Sequence, residues 1–210
     1  MLDFDLVRQG KQTLADLARE LSRDDLHKLT DEIIDTVLAI IEDASAADVV
    51  FVPEDPAAND AFGAAEEASM PWTLGHVIVH ATASSEEAAA LSSLLARGIE
   101  VEGRSRYETD WRTVRKVAQV RQRLEESRHM RHAFLDTWPS EAHLEVVYTG
   151  FASFGPMNAI ARFLFGLLHE DGHLEQLREI MRQAHDGYAL AASKARPSSR
   201  LSGLLPFLRK

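Results

Sequence analysis

Four of the nine histidines fall into two pairs spaced four apart, His76 with His80 and His169 with His173. On a helix, residues four apart share one face a turn from each other, so two imidazoles can converge on one point, as a metal ion requires. The second pair continues in register with Asn158, Arg162, Phe165 and Gln176. This makes a partly polar seam on a stretch otherwise rich in packing residues such as Leu164, Leu167, Leu168 and Leu177. An unsatisfied buried imidazole costs on the order of a few kcal/mol, and a shared ion is one way to satisfy such a seam. Hydrogen bonds to nearby acids such as Glu170 and Asp171 are the other. Two pairs embedded in apolar sequence favour a shared site. His80, inside the small and continuously apolar segment 77–83, is the expected ligand on its helix, whereas His76 is expected to be solvent-exposed or capping.

His169-Glu170-Asp171-Gly172-His173 also matches the H-E-x-x-H pattern of zinc proteases, in which the glutamate is a general base. The extended pattern needs Gly three and His six residues after the second His, but those positions hold Gln176 and Glu179. No glutamate follows Glu179, so the third ligand must come from elsewhere, and the second helix is the place to seek it. The expected metal set is therefore His80, His169 and His173. No residue is assigned a catalytic role. Glu170, about 100° around the helix from His169, is expected to be solvated or to orient a ligand imidazole. Glu87 lies on the His80 face but two turns away, and Asn158 and Arg162 could either bind an anionic substrate group or simply pack. Three neutral imidazoles leave an ion its full charge and an open position. Such an ion could lower the pKa of water toward about 7 for hydrolysis, or activate a thiol. With no cysteine in the chain, that thiol would come from a cosubstrate.

The 210 residues, 45% hydrophobic and 27% charged, suit one folded domain, expected over residues 1–186 with its core at 22–186 and a basic, flexible tail at 187–210. No apolar run approaches the roughly 18–20 residues that span a bilayer. Acids among the first five residues argue against a secretory signal, so a cytoplasmic location is expected. The net charge of -10 argues against a nucleic-acid partner.

Around the histidines the patterning is helical. A short helix is expected over 4–21, weakened by Gly10. Ser22 then reads as an N-cap, before a stripe of Leu26, Leu29, Ile33, Val37 and Ile41. Residues 46–70 read as a loop, with 49–52 the one strand candidate. Pro71-Trp72-Thr73 opens a second major helix ending at Gly98, and 98–110 is a charged connection. A third helix is expected over 111–138, and a fourth from Gly155-Pro156 to about His185. The tail carries Lys194, Arg196, Arg200, Arg209 and Lys210 with the apolar group Leu204, Leu205, Phe207 and Leu208.

Two features, Trp72-Thr73 with a histidine eight residues after the tryptophan at His80, and His169-Glu170-x-x-His173-x-x-Gln176, resemble the DinB-like, or YfiT-like, superfamily of metal-binding helical bundles. With the order of the long helices, the resemblance covers most of residues 22–186. It implies an all-α four-helix bundle with a long crossover between its second and third helices, often homodimeric. The metal, zinc or nickel first among the expected ions, would be held by His80, His169 and His173. It further implies a small-molecule substrate, a low-molecular-weight thiol among the candidates, and an activity of the thiol S-transferase or hydrolase type. The competing expectation is a non-catalytic bundle for dimerisation or partner binding, with structural histidines.

Overall fold

A computed structural model describes residues 2–56, 58, 69–104 and 107–195, with 188–195 by their backbone alone. The expected first helix is two short ones, α1 (Asp5–Arg8) and α2 (Leu14–Ala18). Gly10 takes φ +67° between them, and Thr13 and Asp16 start α2 with a reciprocal capping box. Ser22 and Asp25 form the same box at the head of α3 (Arg23–Ile40), which buries Leu26, Ile33 and Val37, followed by buried Ile41. The strand candidate at 49–52 is not a strand. Ser45 and Asp48 close a third capping box there and wind α4 (Ala46–Val49).

Thr73 caps α5 (Leu74–Ala96) by accepting the His76 N–H at 3.2 Å, and Gly98 ends it at φ +80°. Of its 23 residues, 19 are buried, which makes α5 the rod the others surround. A crossover of residues 97–116 leads to α6 (Val117–Asp136). This helix starts later than its patterning suggests. Asp110 caps a single 3-10 turn, Trp111–Thr113, and Gln119 Oε1 then accepts the N–H groups of Arg115 and Lys116, setting the start at Val117. Gly155 and Pro156 likewise precede the fourth rod rather than open it. Tyr148 and Met157 pair as an antiparallel bridge, and Asn158 caps α7 (Ala159–Gly172) by accepting the Ala161 N–H at 3.0 Å. The rod breaks at His173 and resumes as α8 (Leu174–Ala195), past the expected end at His185. Residues 196–210 of the basic tail, with its apolar group, and most of 57–68 lie outside the described residues.

The main rods α3, α5, α6 and α7–α8 form an all-helical bundle. The α5–α7 seam positions the histidines. Ser92 Oγ donates to the Ala159 carbonyl at 2.7 Å, and the Ser85 hydroxyl lies 3.1 Å from the Gly166 carbonyl. Numbers fall along α5 as they rise along α7, so the two run antiparallel, and one further turn brings His80 opposite His169. The spacing needs a missing side chain: a Cβ on Gly166 would sit 2.6 Å from Ala88 Cβ and 3.0 Å from Ser85 Cα.

Across this seam a fully buried guanidinium meets a buried carboxylate. Arg131 of α6 places Nη1 2.6 Å and Nη2 3.1 Å from the Glu170 oxygens, Ser127 Oγ accepts from Arg131 Nε, and Ser85 Oγ lies 2.9 Å from Glu170 Oε2. Removing one partner of such a pair leaves an uncompensated buried charge.

We expect Glu170→Ala to lower unfolding free energy by about 3–5 kcal/mol, and Gly166→Ala by about 1–3 kcal/mol through overpacking, both read from urea unfolding. Hydrogen bonds from Ser22, then Lys28, hold the Asp25 carboxyl at about 2, below the ordinary 3.8. Its folded pKa is the lower one, so its stabilisation is complete above pH 3.8 and lost as pH falls toward about 2. Thermal melts of Asp25→Asn and the parent chain should therefore differ at pH 6 and converge at pH 2.

Candidate metal centre

The three expected ligands meet. His80, on the second turn of α5, is 7% exposed, and its Nε2 lies 3.2 Å from His169 Nε2 on the last turn of α7. His173, at the break between α7 and α8, completes the group, with one ligand nitrogen from each of the three rings within 4.8 Å of the others. Ring centroids are 5.0 Å apart for His80 and His169, 5.3 Å for His80 and His173, and 4.8 Å for His169 and His173. The His173 ring stands nearly perpendicular to the other two, at 80° and 76°. Two nitrogens bonded at about 2.0–2.1 Å to one tetrahedral ion sit roughly 3.3 Å apart, so the 3.2 Å between His80 and His169 is already at ligand spacing. The cluster could hold a metal ion.

Neighbouring groups turn the rings. Gln176 Oε1 lies 2.8 Å from His173 Nδ1. An amide oxygen only accepts, so Nδ1 carries the proton and the Nε2 lone pair is left for the cluster. On the other side, Glu108 Oε2 faces His80 Nδ1 at 3.8 Å, which favours a proton there and leaves the His80 Nε2 lone pair toward His169. Glu108 was not visible to sequence reasoning, because it sits in the aperiodic crossover and only the folded chain brings it to His80. Gln176 was visible through its spacing from His173.

Trp72, 8% exposed, closes the floor of the cluster, its ring 4.5 Å from that of His80 and 5.8 Å from that of His173. It also explains His76. Far from being solvent-exposed, His76 is 4% exposed and sandwiched between Trp72 at 4.4 Å and Trp111 at 4.6 Å. The second member of the α5 pair is thus packed between two indoles and is not one of the three grouped histidines.

The other candidates take different places. Glu170 is neither solvated nor beside a ligand ring; it points away from its helix neighbour His169 into the pair with Arg131, so the H-E-x-x-H match has no general base. Asp171 pairs with Arg8, which docks α1 beside the site. Glu87, 4% exposed, accepts from Arg104 Nη2 at 2.7 Å. Asn158 spends its Oδ1 on the α7 cap. Arg162 is 1% exposed among the rings of Tyr148, Phe151 and Phe165, 5.2–5.9 Å from their centroids, and burial pushes its guanidinium down to about 10 against the opposing pull of Glu87. Both seam residues are packing and capping elements rather than an open wall.

No curated protein and no solved structure matches the chain. A family model described as the DinB superfamily matches residues 8–177, a span that holds all three clustered histidines, Trp72, Glu108 and Gln176. With an all-helical bundle around it, that match makes the chain a member of the DinB superfamily.

Proposed function

We propose that the chain is a divalent-metal-dependent enzyme of the thiol S-transferase or hydrolase type, with His80, His169 and His173 as ligands and zinc or nickel as the ion. The observation that carries this is a group of three imidazoles, with no carboxylate in it among the described residues and two of its nitrogens already 3.2 Å apart. Three neutral donors suit an open catalytic site better than a closed structural one. When bound, the ion would supply Lewis acidity, lowering the pKa of a hydroxyl or thiol brought to its open position.

The chain's own groups would then do the rest. Gln176 and Glu108 orient the ligand rings, and Trp72 keeps water from the floor. Glu108, 3.8 Å from His80 Nδ1 with a side chain 28% exposed, is also a carboxylate able to hold a proton in reach of solvent. Thiol transfer is placed ahead of hydrolysis because Glu170, the base a hydrolase of the H-E-x-x-H kind would use, is spent on Arg131. The thiol is a small cosubstrate, since the chain has no cysteine. A homodimer is part of the same proposal, read by light scattering.

The chain purified without chelator should carry metal, and His80→Ala, His169→Ala and His173→Ala should each lose it. Full metal retention by any two of these variants rejects the ligand set. Gln176→Ala should keep the ion but weaken it about 10–100-fold. The metal-loaded chain should transfer low-molecular-weight thiols to an electrophile at a rate that the metal-free chain lacks; equal rates with and without the ion would reject the enzyme reading.

A further inference from the structure

A second pair of histidines faces across the opposite seam of the bundle. His27 of α3 and His132 of α6 bring their Nδ1 atoms within 2.6 Å. The centroids are 4.8 Å apart and the ring planes differ by 8°, so the rings lie end to end in nearly one plane, with their lone-pair directions opposed. Each ring presents its far side to a carboxylate. His132 Nε2 is 2.9 Å from Asp31 Oδ1, and His27 Nε2 is 3.4 Å from Asp136 Oδ1.

Asp31 accepts from His132 Nε2, which leaves His132 Nδ1 a lone pair aimed at His27 Nδ1; with hydrogen on His27 Nε2 toward Asp136, His27 Nδ1 is a second one. Two lone pairs at 2.6 Å repel unless a cation lies between them. We propose that His27 and His132 form a second cation site, which holds one shared proton and exchanges it for a divalent transition-metal ion. The exchange balances as one metal ion taken up by both Nδ1 atoms and one proton released to solvent.

The surroundings favour such an ion. Carboxylates behind both imidazoles are the arrangement that orients metal-ligating histidines and raises their basicity. Beside the pair stand Asp24 and Asp31 of α3, Asp136 of α6 and Arg23, while Arg128, which binds Asp31, is itself held by Asp35 and Glu125. The excess of negative charge attracts a divalent cation. Burial first, and then His132, hold the His27 imidazole below its ordinary range, so the ring yields a proton readily to a metal ion. A tetrahedral ion needs its nitrogens roughly 3.3 Å apart. That asks for a modest parting of two rings that are about one quarter exposed at the helix surface. None of these groups belongs to the three-histidine cluster, so the proposal stands independently of the function assigned there.

The test is a zinc titration by calorimetry of the full-length His80→Ala/His169→Ala/His173→Ala variant, in two buffers of different ionisation enthalpy. One zinc per chain with micromolar affinity is expected at pH 7, with proton release that rises toward one as the pH is lowered to 6. His27→Gln and His132→Gln, added singly, should each weaken binding at least tenfold. No binding below millimolar zinc, binding that ignores both substitutions, or zinc bound with no rise in proton release between pH 7 and 6 would overturn the proposal. Circular dichroism checks the fold. If the triple variant does not fold, zinc stoichiometry of the otherwise unaltered chain decides: His132→Gln should lower it by one equivalent, and no change would overturn the site.

Discussion

The distance between α5 and α7 governs everything else at the site. Imidazole side chains are short, and rings from two helices can share an ion only where the backbones come unusually close. Gly166 against Ser85 and Ala88 provides that approach, with no room for even a Cβ, and Ser92 fixes the register one stage away by donating to the Ala159 carbonyl. The seam is held from behind by Arg131 and Glu170, which tie α6 to α7 through the layer next to the histidines. Stability and site geometry therefore share residues: the groups that make the bundle cohere are those that aim His80 at His169.

The same seam divides labour between neighbours on one helix. His169 and Glu170 are adjacent in sequence and therefore about 100° apart around α7. One face turns the imidazole to the cluster, and the other drives the carboxylate into the protein, where a guanidinium and a hydroxyl meet it. A motif that elsewhere pairs a metal ligand with a general base is here split between a member of the histidine cluster and a buried ion pair. Trp72 shows a comparable economy, since one indole packs against His76, His80 and His173 at once and so fixes the start of α5 relative to the α7–α8 break.

Much of this was legible in the sequence because it rests on short-range rules. Ser22, Thr73 and Gly98 mark helix ends through local hydrogen bonds or a positive φ. The four-residue histidine spacing survives the break at His173, where the His173 N–H donates to the Glu170 carbonyl at 3.0 Å and the Leu177 N–H to the His173 carbonyl at 2.9 Å, so the chain keeps its turn. What sequence missed is set by contacts far along the chain. Glu108 reaches His80 only through the path of the crossover, and His76 is buried because Trp111, 35 positions on, covers it. The pairing of Tyr148 with Met157 delays α7 past Pro156, and capping at Ser45 and Asp48 overrides the β-favouring valines that follow. His27 and His132 carry no spacing signal at all, lying 105 positions apart.

Whether three imidazoles share one ion and leave a position open can be read by X-ray absorption at the metal edge on the protein loaded with one equivalent. Three imidazole nitrogens at about 2.0–2.1 Å are expected, with one further light atom that exchanges with added small ligands. A shell dominated by carboxylate oxygens, or one closed by four imidazoles that added ligands do not disturb, would contradict this.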